Sequence, residues 1–584
     1  MPRLMLTMLL VWVICQFSAA QSNLLCTSLE AESVLKGNFN PADYAPAMAI
    51  NDPAAIAEAL ATQISTDSLR AYLEQMSAFG NRNTGSDTLS ATFGIGAARR
   101  WVYQKFEAIS AQHENRLLAS YLQFDATVCN ITGSHRNIFA VLPGQGPQFD
   151  EVVLVEAHLD SRCENACDFI CDAHGMEDNG SGSALVIELA RLLSAYSFNR
   201  TMVFLLTTGE EQGLFGAEAF AAYCQLQNIK LKAVFNNDIV GGIICGATAS
   251  PPGCPGLNSI DSINVRLYSQ GTINSRNKQL ARFSKLEYAE NLREYMAVKP
   301  VINLMTPEDR TGRGGDHIPF RESGYPAIRF TSANEHGNGN PATPDYSDRQ
   351  HTMADVLGLD TNNDGTLDSF FVDMNYLARN TAINGNALAM AAAGPVPPVN
   401  FTLANVNGGF RVAFDDPYNY GVYRVGVREY GVNDWDTVFT IFQTIDTLYG
   451  LEPATLYVLS AASVDNQGIE SLFSNEKFDS FTTGSEPVQK PVSDLVLLQN
   501  HPNPFDEATV IGVQVNQAPT YNQAFIAVQD LQGKTLAQLP ITLHPGLNEV
   551  VYDYQYHQYT PGAYVYSLVV DGQLVESKQM IYAY

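Results

Sequence analysis

The residues best equipped for chemistry stand in a few short stretches. His158 and Asp160 close EVVLVEAHLDS, Asp178 sits in EDNGSG, Glu210 and Glu211 follow TTG, Asp238 ends FNND, and His351 lies in RQHTMAD. Carboxylates outnumber imidazoles, which suits a metal-assisted reaction better than a nucleophilic side chain. At a strand end, residues two apart face the same way. A metal-bound His usually donates its second ring N–H to a carboxylate, so Asp160 is a candidate to orient His158. Taken singly, each signal is modest. Asp178, just before a Gly/Ser-rich helix start, also reads as an N-terminal cap. Glu210 and Glu211 read either as a solvated pair or as diverging neighbours, one toward a metal and one toward a substrate.

The elements that must position these groups are legible. Val152–Val155 and Met202–Leu206 have the length and composition of buried parallel strands. Ala184–Leu193 between them repeats apolar residues at helical spacing. Helices are expected at 68–79 and 94–109, and strands at 137–142, 233–235, 260–268, 301–304 and 327–331. This alternation predicts an α/β domain over 66–393, a mixed, mostly parallel sheet flanked by helices. Such sheets place their chemistry at the carboxyl ends of their strands.

The 584-residue chain is too long for one core. Lys and Arg total 34 against 61 Asp and Glu, a net charge of −27 that argues against nucleic acid as a partner. Residues 1–20 read as a secretory signal, with Arg3, an apolar run and small residues before the cut. No later segment is apolar enough to span a bilayer. Residues 21–65 read as an extension or pro-segment. Of nine cysteines, Cys15 lies in the signal, leaving Cys26, Cys129, Cys163, Cys167, Cys171, Cys224, Cys245 and Cys254. In an exported chain they suggest disulfides, Cys245–Cys254 being the best local pair. Cys163, Cys167 and Cys171 also raise a thiolate metal site, although no paired CxxC pattern completes it.

After Ala393 the pattern changes. Residues 394–484 alternate in short runs between turns, as an all-β sandwich does, and resemble a fibronectin type III module. Residues 485–494 form a linker by composition. Residues 495–584, with QNHPNPF, DLQGK, PGAYVYSLVVDG and a terminal KQMIYAY, resemble the C-terminal sorting domain of the type IX secretion system. That resemblance implies the type IX machinery as a partner and a secreted or cell-surface location after passage through the outer membrane.

HLDS, EDNGSG, TTGEEQGLFGA, NND, GGDH and QHTMAD, in this order, resemble the co-catalytic zinc exopeptidases of metallopeptidase family twenty-eight. The resemblance implies a zinc exopeptidase fold with two zinc ions per chain. His158 and Asp238 would hold one ion, Glu211 and His351 the other, and Asp178 would bridge them. Asp160 would orient His158, Glu210 would be the general base, and the Asp178–Asn179 peptide would be cis. The activity implied is that of an aminopeptidase on peptide substrates. The alternatives are a glutaminyl cyclase-like or carboxypeptidase activity on the same fold, or an inactive surface adhesin. Some family members carry an oxyanion-stabilising Tyr near the GGDH position. Here DRTGRGGDH has none, and Arg313 is the candidate substrate-binding substitute. Residues 360–368, DTNNDGTLD, resemble half of a calcium loop with Asp360, Asn362 and Asp364 in place. Phe371 stands where such a loop has Glu, and an Asx-rich turn is the competing reading.

Overall fold

Segments apolar on both sides demand cover on both faces, and the computed structural model provides it. It describes residues 22–246, 251–310, 313–334, 341–342, 346, 348–481, 495–517, 520–530, 535–553 and 561–583. Nine strands form the first sheet: β1 (Ser22–Cys26), β2 (Leu118–Val128), β3 (Ile131–Leu142), β4 (Glu151–His158), β5 (Thr201–Thr207), β6 (Lys230–Asn237), β7 (Asn264–Tyr268), β8 (Val301–Leu304) and β9 (Ala327–Ser332), in the order β1-β2-β3-β5-β4-β6-β9-β7-β8. The parallel strands β5-β4-β6-β9 occupy the centre, and β4 and β5 are buried almost throughout. The β2–β3 hairpin joins β5 antiparallel, and β7 joins β9 antiparallel, so the sheet is mixed.

The helices are α1 (Leu29–Leu35), α2 (Pro53–Thr62), α3 (Thr66–Ala78), α4 (Gly94–Gln112), α5 (Ser181–Leu193), α6 (Phe215–Leu226), α7 (Arg276–Glu287), α8 (His317–Glu322) and α9 (Met374–Ala393). Residues of α2, α3, α4, α5, α7 and α9 share one core on one face of the sheet, and those of α1, α6 and α8 share a second on the other. Residues 22–65 are built into this fold: β1 pairs with β2, and α2 packs against α9. The expected signal, residues 1–20, lies outside the described residues. Among the described residues, no helix is long and apolar enough to cross a membrane.

A two-stranded ribbon, β10 (Gly358–Leu359) with β11 (Ser369–Phe370), precedes α9. Two antiparallel sandwiches follow α9. The first packs β12 (Val399–Val406), β13 (Gly409–Asp415) and β16 (Ile445–Tyr449) on β15 (Thr437–Ile441), β14 (Val422–Glu429), β17 (Tyr457–Val464) and β18 (Lys477–Asp479), around Phe410, Val425 and Leu459. The second sets β19 (Leu495–Leu497), β20 (Ala508–Val515) and β23 (Gly546–Asp553) on β22 (Thr535–Pro540), β21 (Ala524–Gln529), β24 (Gly562–Val570) and β25 (Gln573–Tyr582), around Ile511, Ile526 and Tyr566. The first sandwich docks on the α/β domain through buried charge. Glu476 lies 2.8 Å from Arg282 of α7 and 3.1 Å from Arg428 of β14.

Candidate metal centre

Three neighbouring parallel strands deliver the centre from their carboxyl ends, where such sheets place chemistry. β4 ends on His158, Glu210 and Glu211 follow β5, and Asp238 follows β6. Asp178 lies just before α5, and His351 comes from the segment between β9 and β10. His158 Nε2 is 3.1 Å from Asp178 Oδ1 and 3.5 Å from Asp238 Oδ1. His351 Nε2 is 3.1 Å from Asp178 Oδ2 and 3.3 Å from Glu211 Oε2. Asp178 thus presents one oxygen to each imidazole. Glu210 offers an oxygen to the cluster of His158 and Asp238. Every residue expected as a zinc ligand or as the general base therefore converges here.

The supports are specific. Asp178 does not cap α5, whose N-terminal boundary residue Gly180 makes no side-chain cap. Instead Asn179 Oδ1 accepts the Gly182 N–H at 2.9 Å, which frees the Asp178 carboxylate for the centre. The Asp178–Asn179 peptide is cis. Asp355 accepts the Glu177 and Asp178 N–H groups at 2.8 and 2.9 Å, fixing the backbone under Asp178. Asp160 touches His158 mainly through its backbone carbonyl, 3.0 Å from Nδ1, with its carboxylate at 3.7 Å. That carboxylate also accepts the N–H groups of Glu210 and Glu211 at 3.3 and 3.4 Å, and the Thr84 hydroxyl at 3.2 Å. Asp160 therefore positions the His and both glutamates together.

Four carboxylates crowd two imidazoles. Burial pulls the His158 imidazole down, but the adjoining Asp178 and Asp238 outweigh it and hold it well above its ordinary value. Burial, reinforced by Asp238 and Asp178, pushes the Glu210 carboxyl well up. Glu211 is raised by burial and by Asp178 and Glu210. His158 Nε2 and Glu211 Oε1 are buried without a hydrogen bond. Buried polar atoms ordinarily find partners, so these unsatisfied lone-pair atoms and the excess negative charge match what divalent cations would neutralise.

Other expectations fall elsewhere. Arg313 donates from Nη2 to Gln350 Oε1 at 2.8 Å, beside His351 in the chain. His174, a further imidazole in the cysteine-bearing insertion, has Nδ1 3.1 Å from both the Ser77 hydroxyl and the Ser77 carbonyl. The clustered cysteines are cross-linked, Cys163 to Cys171 and Cys129 to Cys167, so they are not a thiolate metal site. Cys245 pairs with Cys254 as expected, while Cys26 and Cys224 are free and buried. In the 360–368 loop, Asp360, Asn362, Asp364 and Asp368 accept the loop's own N–H groups, the pattern of an Asx-rich turn. Sequence reasoning missed Asp355, Arg329 and Arg162. The QHTMAD stretch flagged the first by position only.

Residues 137–245, which include Asp160, Glu210 and every expected zinc ligand except His351, match the family described as Peptidase family M28. A probable zinc metalloprotease of Leptosphaeria maculans is 32% identical over 359 residues, covering 59% of this chain and 78% of that protein. The chain belongs to peptidase family M28. Two solved structures are also similar. The LapA aminopeptidase of Legionella pneumophila is 18% identical, covering 57% of this chain and 74% of its own, with a TM-score of 0.40. The glutaminyl cyclase of Porphyromonas gingivalis is 18% identical, covering 56% and 99%, with a TM-score of 0.37.

Proposed function

We propose that this chain, a zinc metallopeptidase by family, is a secreted aminopeptidase whose centre holds two zinc ions. The observation that carries the reading is the placement of Asp178, with each carboxylate oxygen 3.1 Å from a different imidazole. His158 and Asp238 would hold one ion, Glu211 and His351 the other, and Asp178 would serve both. Zinc bound there supplies a Lewis acid and a water that ionises near neutral pH. The residues do the rest. Asp160 holds the His158 ring and the Glu210–Glu211 backbone in register. Glu210, kept avid for a proton by burial among carboxylates, takes the proton of the attacking water and passes it to the leaving amine. Arg313, on the rim beside His351, is the candidate substrate contact.

The first sandwich, three strands on four, supports a fibronectin type III-like module at 394–484. The last sandwich and its motifs support a type IX sorting domain at 495–584, and with it passage to the exterior.

The test is a panel of aminoacyl-p-nitroanilides with free and N-acetylated amines, run with and without a chelator, alongside metal analysis. Two zinc equivalents and chelator-sensitive cleavage of free amines alone are expected. Cleavage of blocked substrates, or one equivalent with cyclisation of N-terminal glutamine, would replace the reading.

A further inference from the structure

The stretch between Ser161 and Gly175 is cross-linked more heavily than its length requires. Cys163–Cys171 closes it on itself, and Cys129–Cys167 ties it to the β2–β3 turn. Asn83 Nδ2 and Gln212 Nε2 both donate to Ala166 O, at 2.9 and 3.3 Å, and Asn81 Nδ2 donates to Cys171 O at 2.7 Å. The Phe169 ring lies over Gly85, where an added Cβ would come within 2.4 Å of it. A short segment pinned at so many points delivers some group to a fixed place.

That group is the Arg162 guanidinium. Nε lies 4.0 Å from Glu211 Oε2, the same oxygen that faces His351 Nε2 at 3.3 Å. Nε donates to Cys163 O and Nη2 to Glu164 O, both at 3.1 Å, so the insertion's own carbonyls set the plane of the fork. Nη1 makes no hydrogen bond among the described residues, and the side chain is 17% exposed. Neighbouring guanidinium groups are committed: Arg82 to the carbonyls of Leu159 and Gly175, Arg329 to Asp238 and Asp309, and Arg313 to Gln350. Glu210 belongs to the cluster of His158 and Asp238, the other half of the centre. The proton acceptor and this cation thus stand by different ligands, Glu210 by His158 and Asp238 and Arg162 by Glu211.

A fixed positive charge beside a cation site is unfavourable at rest and becomes favourable once a ligand brings negative charge. Such a group binds the transition state better than the ground state. We propose that Arg162 binds the oxygen anion that develops on the scissile carbonyl, on the Glu211–His351 side of the centre. This rests on the aminopeptidase reading above. As the water oxygen bonds to the carbonyl carbon, the water proton moves to Glu210 and the carbonyl π pair moves onto the oxygen facing Arg162. When the C–N bond breaks, that pair reforms the C=O and the proton passes from Glu210 to the departing amine.

The experiment compares full-length, zinc-loaded wild type with Arg162→Gln and Arg162→Lys. It measures kcat and KM on an aminoacyl-p-nitroanilide and a dipeptide, Ki for an α-aminophosphonic acid as a tetrahedral anion, zinc content and Tm. Arg162→Gln should lower kcat on the order of 10²-fold on both substrates, as loss of one anion-stabilising donor does. It should weaken the phosphonate by a similar factor while leaving KM, zinc content and Tm near wild type. Arg162→Lys should recover part of both losses. An unchanged kcat overturns the proposal. So does a loss confined to KM for the dipeptide, which would assign Arg162 to a substrate carboxylate, or a loss of zinc, which would assign it to Glu211. A wild type inert on every aminoacyl substrate removes the underlying reading instead, a result distinct from active wild type with an unaffected variant.

Discussion

Arg329 Nη2 stands 3.0 Å from Asp238 Oδ2, and the whole Arg329 side chain is buried. Its Nη1 lies 2.9 Å from Asp309 Oδ2, so one guanidinium spans a proposed zinc ligand and a second carboxylate. Burial would raise Asp309, yet Arg329 and Arg310 outweigh it and hold the carboxyl well below the usual range. Removing one member of such a set leaves the others charged and unpaired, at a cost of about 3–5 kcal/mol. Arg329→Gln should therefore be strongly destabilised in metal-free form. Zinc neutralises Asp238 but not Asp309, so the variant should gain more stability from added zinc than wild type does. Denaturant midpoints with and without zinc read this directly, and equal gains would count against it.

The adjacent glutamates should fail differently. Glu211 Oε2 is 3.3 Å from His351 Nε2, whereas Glu210 shares the cluster of His158 and Asp238 and is raised by burial. Glu210→Gln should keep both zinc equivalents and lose roughly 10²–10⁴-fold in kcat. Glu211→Gln should lose about one equivalent of metal as well. Metal analysis beside kinetics separates them, and a Glu210→Gln enzyme with wild-type turnover would exclude a proton role for that residue.

The legible part of this site was what local pattern carries. Buried runs ending in polar residues located β4, β5 and β6, and with them His158, Glu210, Glu211 and Asp238. What was not legible depends on contacts distant in sequence. Asp355 reaches the Asp178 backbone across 177 residues, and no local periodicity encodes that. β2 lies between β1 and β3, one strand in from the edge of the sheet, and its mixture of buried and half-buried positions, with polar Ser120, Gln123 and Asp125 among them, blurs the strand pattern. Residues 21–65 read as an extension because their helices are short, and only packing against α9 and pairing with β2 reveal them as part of the domain. The cysteine pairing was open for the same reason, since spacing does not report Cα separation.

Glu476 is the point at which the first sandwich holds to the α/β domain. Besides Arg282 and Arg428 it accepts the Asn274 N–H at 2.7 Å, and Arg282 lies over the Trp435 ring at 5.1 Å. Burial would raise the carboxyl, but the two arginines hold it low. Glu476→Gln should leave both cations undercompensated and loosen this interface first. Calorimetry should then separate the unfolding of the sandwich from that of the α/β domain, and limited proteolysis near Gly394–Pro398 should accelerate. One unchanged transition and unchanged cleavage would argue that the interface is held elsewhere.

The same interface carries an opposite pH signature at Glu287 and Glu470. Glu287 belongs to α7 and Glu470 to the first sandwich, and both are buried. Burial pushes Glu470 up to about 8, against the pull of Arg424 and with Glu290 adding to the rise. Burial and the Glu470 charge hold Glu287 well up too. Because the folded values exceed the unfolded ones, the folded state binds these protons more tightly. Their contribution to stability is complete below the unfolded value near 4.5 and is lost as pH rises through about 8. Glu470→Gln removes the titration at one carboxyl and the repulsion at the other. Wild type should lose stability between pH 5.5 and pH 8.5, and the variant should lose less, with Tm at pH 8.5 higher by roughly 2–4 °C. Thermal unfolding of both proteins at the two pH values gives the comparison. Parallel pH profiles would show that neither carboxyl is protonated in the folded protein.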